Sequence, residues 1–382
     1  MDLALRTKQL INLFSYDKKV ELGDSKLEIV PFHFIQTDRE GRIARLQKDL
    51  ITTGFCPVTD DCIDENKSFN YTVFTPGNRK EKRNEAIILL HGLNERNWNK
   101  YLTWAEYLAK HTGKSVILFP IAFHMNRTPG IWCNPRAILP WVNERKQEVS
   151  DLGNSTFVNV ALSSRISKQP LRFYVSGLVS AYDVLQLVRE IKSGDHPFFK
   201  EGTSVNIFAY SIGALLSQVM LLANPENLFT DTRLFMFCGG SIFSEINGNA
   251  RDILDEEASL CLRNYYMNEF LKTFPFPFSN ESISLEQAFS MMICPSVMAE
   301  QRESFFQSAY SRIRAVSLKK DVVIPTQGII KALGKVSQKI LEELDFSFPY
   351  SHQVPFPVNG CGYNDSVNRA FGCVFDKAAA FL

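Results

Sequence analysis

The residues best suited to chemistry surround Ser211, in the segment Ala209-Tyr210-Ser211-Ile212-Gly213. An apolar strand-like run ends just before the serine and an apolar helical pattern begins just after it, so the chain must turn sharply there. Such a turn lifts a serine hydroxyl above the edge of a sheet, where it can act as a nucleophile. Small residues two positions before and after the serine let strand and helix approach, and Ala209 and Gly213 meet this need. The alternative is that Ser211 only caps the helix.

A serine nucleophile needs a base that removes its proton. The sequence contains histidines at positions 33, 91, 111, 124, 196 and 352. Proteins with a serine at this kind of turn carry the serine, the acid and the histidine in that order along the chain. Only His352 follows Ser211, so we predict that His352 is the base. The alternative is that His352 is an ordinary surface histidine without a catalytic role.

The base in turn needs a carboxylate that fixes its tautomer and stabilises the imidazolium. Asp321 directly follows an apolar run at 313–318 and precedes His352 by one strand–helix step. We predict that Asp321 orients His352. Asp345 is a second candidate, although it lies within a strand pattern close to the histidine. The alternative for Asp321 is a helix cap.

A third motif, His91-Gly92-Leu93, follows the apolar run at 86–90. A loop in this place can supply a backbone amide that stabilises a developing oxyanion, and glycine lets the backbone approach the reacting carbonyl. We predict that the N–H groups of Leu93 and Ile212 form this oxyanion hole. The side chain of His91 is interpreted as structural.

Strand and helix patterns alternate through the chain, which predicts an α/β protein with parallel strands and right-handed crossovers. Residues 122–170 are rich in Pro, Asn and Trp and predict a long loop with little regular structure. The predicted strands are 86–90, 115–119, 204–210, 232–238, 313–318 and 344–348, and the predicted helices are 98–111, 171–191, 212–222 and 366–382.

Together, the motifs at His91-Gly92, Ala209–Gly213, Asp321–Pro325 and His352 resemble the α/β-hydrolase superfamily of the serine-hydrolase type. The resemblance implies a mostly parallel sheet with helices on both faces, and a helical lid inserted after the strand that follows the nucleophile helix. It predicts a core at 85–240 and 312–382, a lid at 241–311, and an N-terminal extension at 1–84 that packs on the core. Ala209 departs from the glycine usual at that position.

The resemblance further implies hydrolysis of a carboxylic ester through an acyl-enzyme, on a small acyl substrate and without a metal or organic cofactor. Acyl transfer or thioester cleavage by the same residues, or an inactive hydrolase-like binding protein, are the alternatives. Ser211 in place of an aspartate argues against a dehalogenase. His124, Arg127 and Tyr210 are candidates for substrate contacts, and packing of the loop is the alternative role for His124 and Arg127.

Five apolar residues of the segment 241–311 suggest an acyl pocket, although they could equally pack the lid onto the body. They are Phe274, Phe276, Phe278, Met291 and Met292.

The composition supports an ordinary globular protein, with 45% hydrophobic and 22% charged residues. A net charge of +1 provides no field that would attract nucleic acid. No apolar run is long enough for a membrane helix and the N-terminus does not resemble a signal peptide, so a cytoplasmic location is expected. The eight cysteines include no CxxC pair. Pairing of Cys56 with Cys62, or of Cys361 with Cys373, is an expectation only for an exported protein.

Overall fold

A computed structural model describes residues 2–37, 41, 50, 59–77, 81–149, 152–273, 283–358 and 362–382 of the chain. Nine strands of these residues form one sheet. In chain order they are β1 Val20–Leu22, β2 Leu27–Ile35, β3 Ser68–Pro76, β4 Arg83–Leu90, β5 Ser115–Leu118, β6 Phe199–Tyr210, β7 Leu234–Phe237, β8 Ile313–Leu318 and β9 Leu341–Leu344.

The α-helices of the described residues surround this sheet. They are α1 Leu3–Leu13, α2 Asp64–Lys67, α3 Asn99–Thr112, α4 Pro135–Glu148, α5 Val160–Lys168, α6 Leu171–Ser193, α7 Ile212–Ala223, α8 Glu256–Asn268, α9 Phe270–Thr273, α10 Leu285–Met291, α11 Ala299–Ser308, α12 Thr326–Leu333, α13 Ser337–Ile340 and α14 Asn364–Phe381.

The order of the strands across the sheet is β1-β2-β3-β5-β4-β6-β7-β8-β9. The six strands from β5 to β9 in this order run parallel. The strands β1, β2 and β3 extend one edge in antiparallel fashion. Residues 20–76 therefore contribute strands to the sheet itself.

Both faces of the sheet are covered by helices. In β4, Ala86, Ile88 and Leu90 contribute to a core with α6, α7 and α10. Ile87 and Leu89 point to the other face, into a core with α1, α3 and α14. Strands buried on both faces explain the continuous apolar runs of the sequence. The predicted α/β-hydrolase fold, a mostly parallel sheet between two helical layers, is confirmed.

Two predictions about secondary structure were wrong. Residues 122–170 are not a loop with little structure, because they contain α4 and α5. The residue Asn134 caps helix α4, a proline follows it, and Pro140 lies inside the helix. These residues are typical of loops, so the helical spacing of the apolar residues was not recognised in the sequence. The strand expected at 344–348 ends at Leu344. Phe346 and Phe348 are buried, and the serine between them is exposed. This alternation resembles that of a strand, although these residues do not pair with a neighbouring strand.

Helices α8 to α11 lie in the segment 241–311, and its assignment as a lid stays a prediction. Asp255 at the start of α8 joins this segment to α4 and α5. Its carboxylate accepts hydrogen bonds from Arg145 Nε at 2.5 Å and Nη2 at 2.7 Å, and its N–H donates to Ser163 Oγ at 3.0 Å. These buried contacts hold three helices together beside the carboxyl ends of the strands.

Some predicted features fall outside the described residues, namely Phe274, Phe276, Phe278, Cys56 and Cys361. Among the helices that the structure describes, none combines the length and the apolar character needed to cross a bilayer.

His196 joins the start of β6 to β3 in an electrically neutral form. Its Nδ1 accepts the N–H of Phe198 at 3.0 Å, so the ring proton is on Nε2, which lies 2.6 Å from Tyr71 Oη. Burial, followed by the charge of Lys82, lowers the pKa of His196 to about 4. Burial likewise lowers the pKa of His124 to about 4.

We expect the free energy of unfolding to fall as the pH decreases from about 6.5, the ordinary pKa of histidine, to about 4. In this window the unfolded chain binds protons that the folded chain excludes, so stability is greatest above pH 6.5. His196→Gln should reduce the slope of unfolding free energy against pH, measured by denaturant titration. His111→Gln, at an exposed position, serves as the control and should leave the slope unchanged. An unchanged slope for His196→Gln would contradict the prediction.

Candidate active site

The site is built on the turn between β6 and α7. The backbone of Ser211 has φ +55° and ψ −121°, and a non-glycine residue usually avoids a positive φ. Ser211 is also buried, with only 5% of its surface exposed. A Cβ at Gly213 would lie 2.7 Å from the carbonyl oxygen of Leu90, and one at Gly239 would lie 2.8 Å from the nitrogen of Ser211. Both glycines are therefore required for α7 to begin directly at the end of the sheet.

Three side chains from distant parts of the chain form a line of hydrogen bonds. His352 Nδ1 lies 2.7 Å from Asp321 Oδ2, and His352 Nε2 lies 2.7 Å from Ser211 Oγ. A carboxylate only accepts, so the ring proton is on Nδ1 and Nε2 is free to accept the serine proton. The structure thus brings together all three residues that the sequence predicted as nucleophile, base and acid.

Asp321 is held in place from several directions. Its Oδ1 accepts the N–H groups of Val323 and Ile324, both at 2.9 Å. Burial, together with the nearby charge of Asp321, raises the pKa of the Cys238 thiol. The second candidate acid, Asp345, is bonded to Tyr350 instead, at 2.9 Å. The structure therefore brings Asp321, and not Asp345, to His352.

Tyr210 packs against His352 and helps to hold it in position. Its ring stacks on the imidazole, with centroids 5.4 Å apart and planes at 21°, and its hydroxyl donates to the backbone carbonyl of His352. Burial raises the pKa of Tyr210, so the phenol keeps the proton that it donates. Tyr210 is only 1% exposed. The structure gives this side chain a contact with the base and also places it in the lining of the groove at Ser211, so the predicted substrate contact stays a prediction.

Lys100, which the sequence analysis missed, reinforces the same loop. Its ammonium lies 4.6 Å from the centre of the Tyr210 ring and donates to the carbonyl of Gln353 at 3.1 Å. It also forms an ion pair with Glu95. The sequence feature that could have identified Lys100 is its position in the first turn of α3, the helix that follows the loop containing Gly92. Gly239 and Cys238 were also missed, although both directly follow β7, the strand beside β6.

The two predicted oxyanion donors lie on either side of the nucleophile. Ile212 begins α7, and Leu93 follows Gly92, whose Cβ would lie 3.4 Å from the Cβ of Ser211. Among the described residues, neither the Leu93 N–H nor the Ile212 N–H donates to another group. Both amides are thus available to a ligand.

His91 fixes the loop that carries Leu93. Its Nε2 accepts the N–H of Ile121 at 3.0 Å, so the ring proton is on Nδ1, which donates to the carbonyl of Gly92 at 2.8 Å. This bond orients the peptide group between Gly92 and Leu93. Burial lowers the pKa of His91 far below its usual range, so the ring stays neutral. The structural interpretation of His91 agrees with these contacts.

Two spaces meet at Leu93. The outer groove has a volume of roughly 550 Å³ and is open in part to solvent, and its lining includes Leu93, Glu95, Arg96, Lys100, Tyr210, Ser211, Asp252 and His352. The inner cavity has a volume of roughly 60 Å³, and its lining includes Leu93, His124, Phe173, Gly177, Ile212, Leu215 and Phe289.

The remaining predicted contacts separate in the structure. His124 lies in the wall of the inner cavity, with its Nδ1 bonded to the carbonyl of Ala122 at 2.8 Å. Arg127 is fully buried elsewhere and bonds to Pro120 O at 3.0 Å and Asp183 Oδ2 at 2.6 Å. The position of Arg127 argues against the predicted substrate contact.

Met291 and Met292 are fully buried in the core, and neither belongs to the lining of the two spaces. Phe289, one helical turn earlier, does line the inner cavity. Within the described part of the chain, no group of three His, Cys, Asp or Glu side chains could hold a metal ion.

The amino-acid sequence matches the model of one protein family over residues 6–382. The chain belongs to this family, which is described as a family of unknown function, DUF6051. No curated protein matches the sequence at a significant level.

Solved structures similar to this chain include three esterases. A hyperthermophilic esterase from Pyrobaculum calidifontis is 10% identical, with 99% of this chain and 92% of that chain covered and a TM-score of 0.45. A thermostable esterase from Pseudomonas putida is 8% identical, with coverages of 100% and 91% and a TM-score of 0.47. The esterase LipW from Mycobacterium marinum is 9% identical, with coverages of 99% and 87% and a TM-score of 0.45. Likeness at this level carries no argument about chemistry.

We expect Arg127→Met to destabilise the fold by about 3–5 kcal/mol, because it removes the ion-pair partner of the buried Asp183 carboxylate and leaves this charge only the hydrogen bond from Gln36. The measurement is the free energy of unfolding from denaturant titration. Arg136→Met, at an exposed position in α4, is the matched control and should change stability by less than about 0.5 kcal/mol. Equal stabilities for the two variants would show that the buried pair does not support the fold.

Proposed function

We propose that this protein is a serine hydrolase that cleaves a carboxylic ester through an acyl-enzyme intermediate. The observation that carries the proposal is the continuous line of hydrogen bonds from Asp321 through His352 to Ser211. Nucleophile, base and orienting acid at these distances are the geometric signature of nucleophilic catalysis by serine.

In the first half of the reaction, His352 Nε2 removes the proton of Ser211 as Oγ attacks the ester carbonyl. The negative charge that develops on the carbonyl oxygen is stabilised by the N–H groups of Leu93 and Ile212. One such donor contributes roughly 2.7–4 kcal/mol to the transition state. The protonated His352 then gives its proton to the leaving alcohol as the bond to the acyl carbon breaks.

In the second half, a water molecule gives its proton to His352 and attacks the acyl-enzyme, and Ser211 leaves with the proton returned. The outer groove gives water access to this intermediate. It is lined by exposed residues such as Asn97, Asn99 and Asp252, so water reaches the serine. Asp321 accepts the Nδ1 proton of His352 and so keeps the imidazole in the required tautomer.

We expect a fluorophosphonate probe to label the folded protein at one serine, Ser211, because the probe reacts with a serine activated by a base. Ser211→Ala should abolish labelling, measured by mass spectrometry of the intact chain. Ser217→Ala is the matched control, since its hydroxyl is also buried in α7 but donates to the carbonyl of Gly213 at 2.7 Å. Absent labelling of the folded wild type would favour an inactive binding protein.

We expect Asp321→Asn to lower kcat for hydrolysis of p-nitrophenyl butanoate by about 10⁴, since an amide stabilises the wrong tautomer of the base. Asp345→Asn should leave kcat within about twofold, because this carboxylate bonds to Tyr350 and not to His352. Steady-state kinetics of both variants, with circular dichroism to verify folding, make the comparison. A large loss in Asp345→Asn alone would reverse the assignment of the acid.

A further inference from the structure

The two spaces at the candidate site can be assigned to the two halves of an ester. The leaving oxygen must receive a proton from His352, so the leaving group must lie where this ring is exposed to substrate. His352 and Ser211 line the outer groove, whereas neither lines the inner cavity. The acyl group then extends past the Leu93 and Ile212 amides in the other direction, into the inner cavity.

The walls of the inner cavity are apolar. Side chains of α6, α7 and α10 supply most of the surface, among them Phe173, Leu178, Leu215 and Phe289. The hydroxyl of Ser180, also in the lining, is used within the protein, because it donates to Ser176 O at 2.7 Å and accepts the N–H of Ala122 at 2.9 Å.

His124 adds a ring to this wall without adding charge. Its Nδ1 donates to the carbonyl of Ala122, and burial lowers its pKa to about 4, so the imidazole is neutral at ordinary pH. A neutral, largely apolar space suits a hydrocarbon chain and disfavours an ionised group, which would lose its hydration.

Gly177 stands out on the cavity wall. It lies in the interior of the 23-residue helix α6, where glycine is about 1 kcal/mol less favourable than alanine. A Cβ at this position would meet nothing within 4 Å, so no close packing contact requires glycine. The residue lines the inner cavity, and its missing side chain leaves space there.

The outer groove is more polar than the inner cavity, although Phe157, Val158 and Ile253 also line it. Its lining carries Glu95, Arg96, Lys100 and Asp252 close to the serine. Charged side chains of both signs suit a small polar leaving group and would be desolvated by a long hydrocarbon chain.

From these observations, and resting on the proposed hydrolase function, we propose that the substrate is an ester of an apolar acyl chain with a small polar alcohol. The inner cavity binds the acyl chain, and Gly177 is the residue that sets how long a chain is accepted.

Two isomeric esters test the orientation with equal composition and closely similar polarity. Ethyl hexanoate places the six-carbon chain on the acyl side, and hexyl acetate places it on the alcohol side. We expect kcat/KM to be at least about tenfold higher for ethyl hexanoate, since each methylene group placed in a hydrophobic pocket is worth roughly tenfold or more. Equal values, or a preference for hexyl acetate, would overturn the assignment of the two spaces.

The series Gly177→Ala, Gly177→Val and Gly177→Leu tests the residue itself. Larger side chains should lower the ratio of kcat/KM for p-nitrophenyl octanoate to that for the acetate, stepwise and by about tenfold or more for leucine. Alanine and leucine favour the helix over glycine, so the folded state is retained. Gly372→Leu is the matched control, because it makes the same change in α14, where the new Cβ would contact only Asp376.

The outcomes separate the two proposals. If wild-type protein is labelled by a fluorophosphonate at Ser211 and hydrolyses p-nitrophenyl acetate, but the octanoate ratio is the same in Gly177→Leu and Gly372→Leu, the role of Gly177 is wrong and the hydrolase proposal stands. If neither labelling nor hydrolysis of any ester occurs, the hydrolase proposal itself fails.

Discussion

The close approach of α7 to the ends of β4 and β7 is the constraint on which the candidate site depends. Gly213 and Gly239 have no side chains, and any Cβ there would lie within 3 Å of backbone atoms. Because these two positions lack side chains, Ser211 can adopt a backbone conformation with positive φ at the end of β6. The packing of the surrounding strands holds Ser211 in this strained backbone conformation. The same turn presents the N–H of Ile212 beside the hydroxyl.

The loop that carries His352 has little regular structure, so its position must come from side-chain contacts. Tyr210 stacks on the imidazole and binds the carbonyl of the same residue. Lys100 bonds to the next carbonyl along the chain. Asp321 then fixes the ring from its other edge. Because these supports come from different elements of the sheet and the helix after β4, the geometry of the base is tied to the body of the fold.

The walls around the serine come from two segments that are far apart in sequence. Helices α4 and α5 belong to one and α8 to the other, and the buried pair of Arg145 and Asp255 joins them. Breaking such a pair leaves a buried charge without its partner, so the pair resists separation of the two segments. The shape of the outer groove therefore depends on contacts remote from the chemistry.

The sequence by itself determined what is local: the strand that passes directly into a helix at Ser211, and the single histidine available after it. Apolar periodicity and the need for small residues act over a few positions, so both can be recognised without coordinates. Only the tertiary structure decided where the remaining polar side chains point. It buries Arg127 against Asp183 and turns Tyr210 towards His352. These outcomes depend on partners more than fifty residues away, which no local pattern encodes.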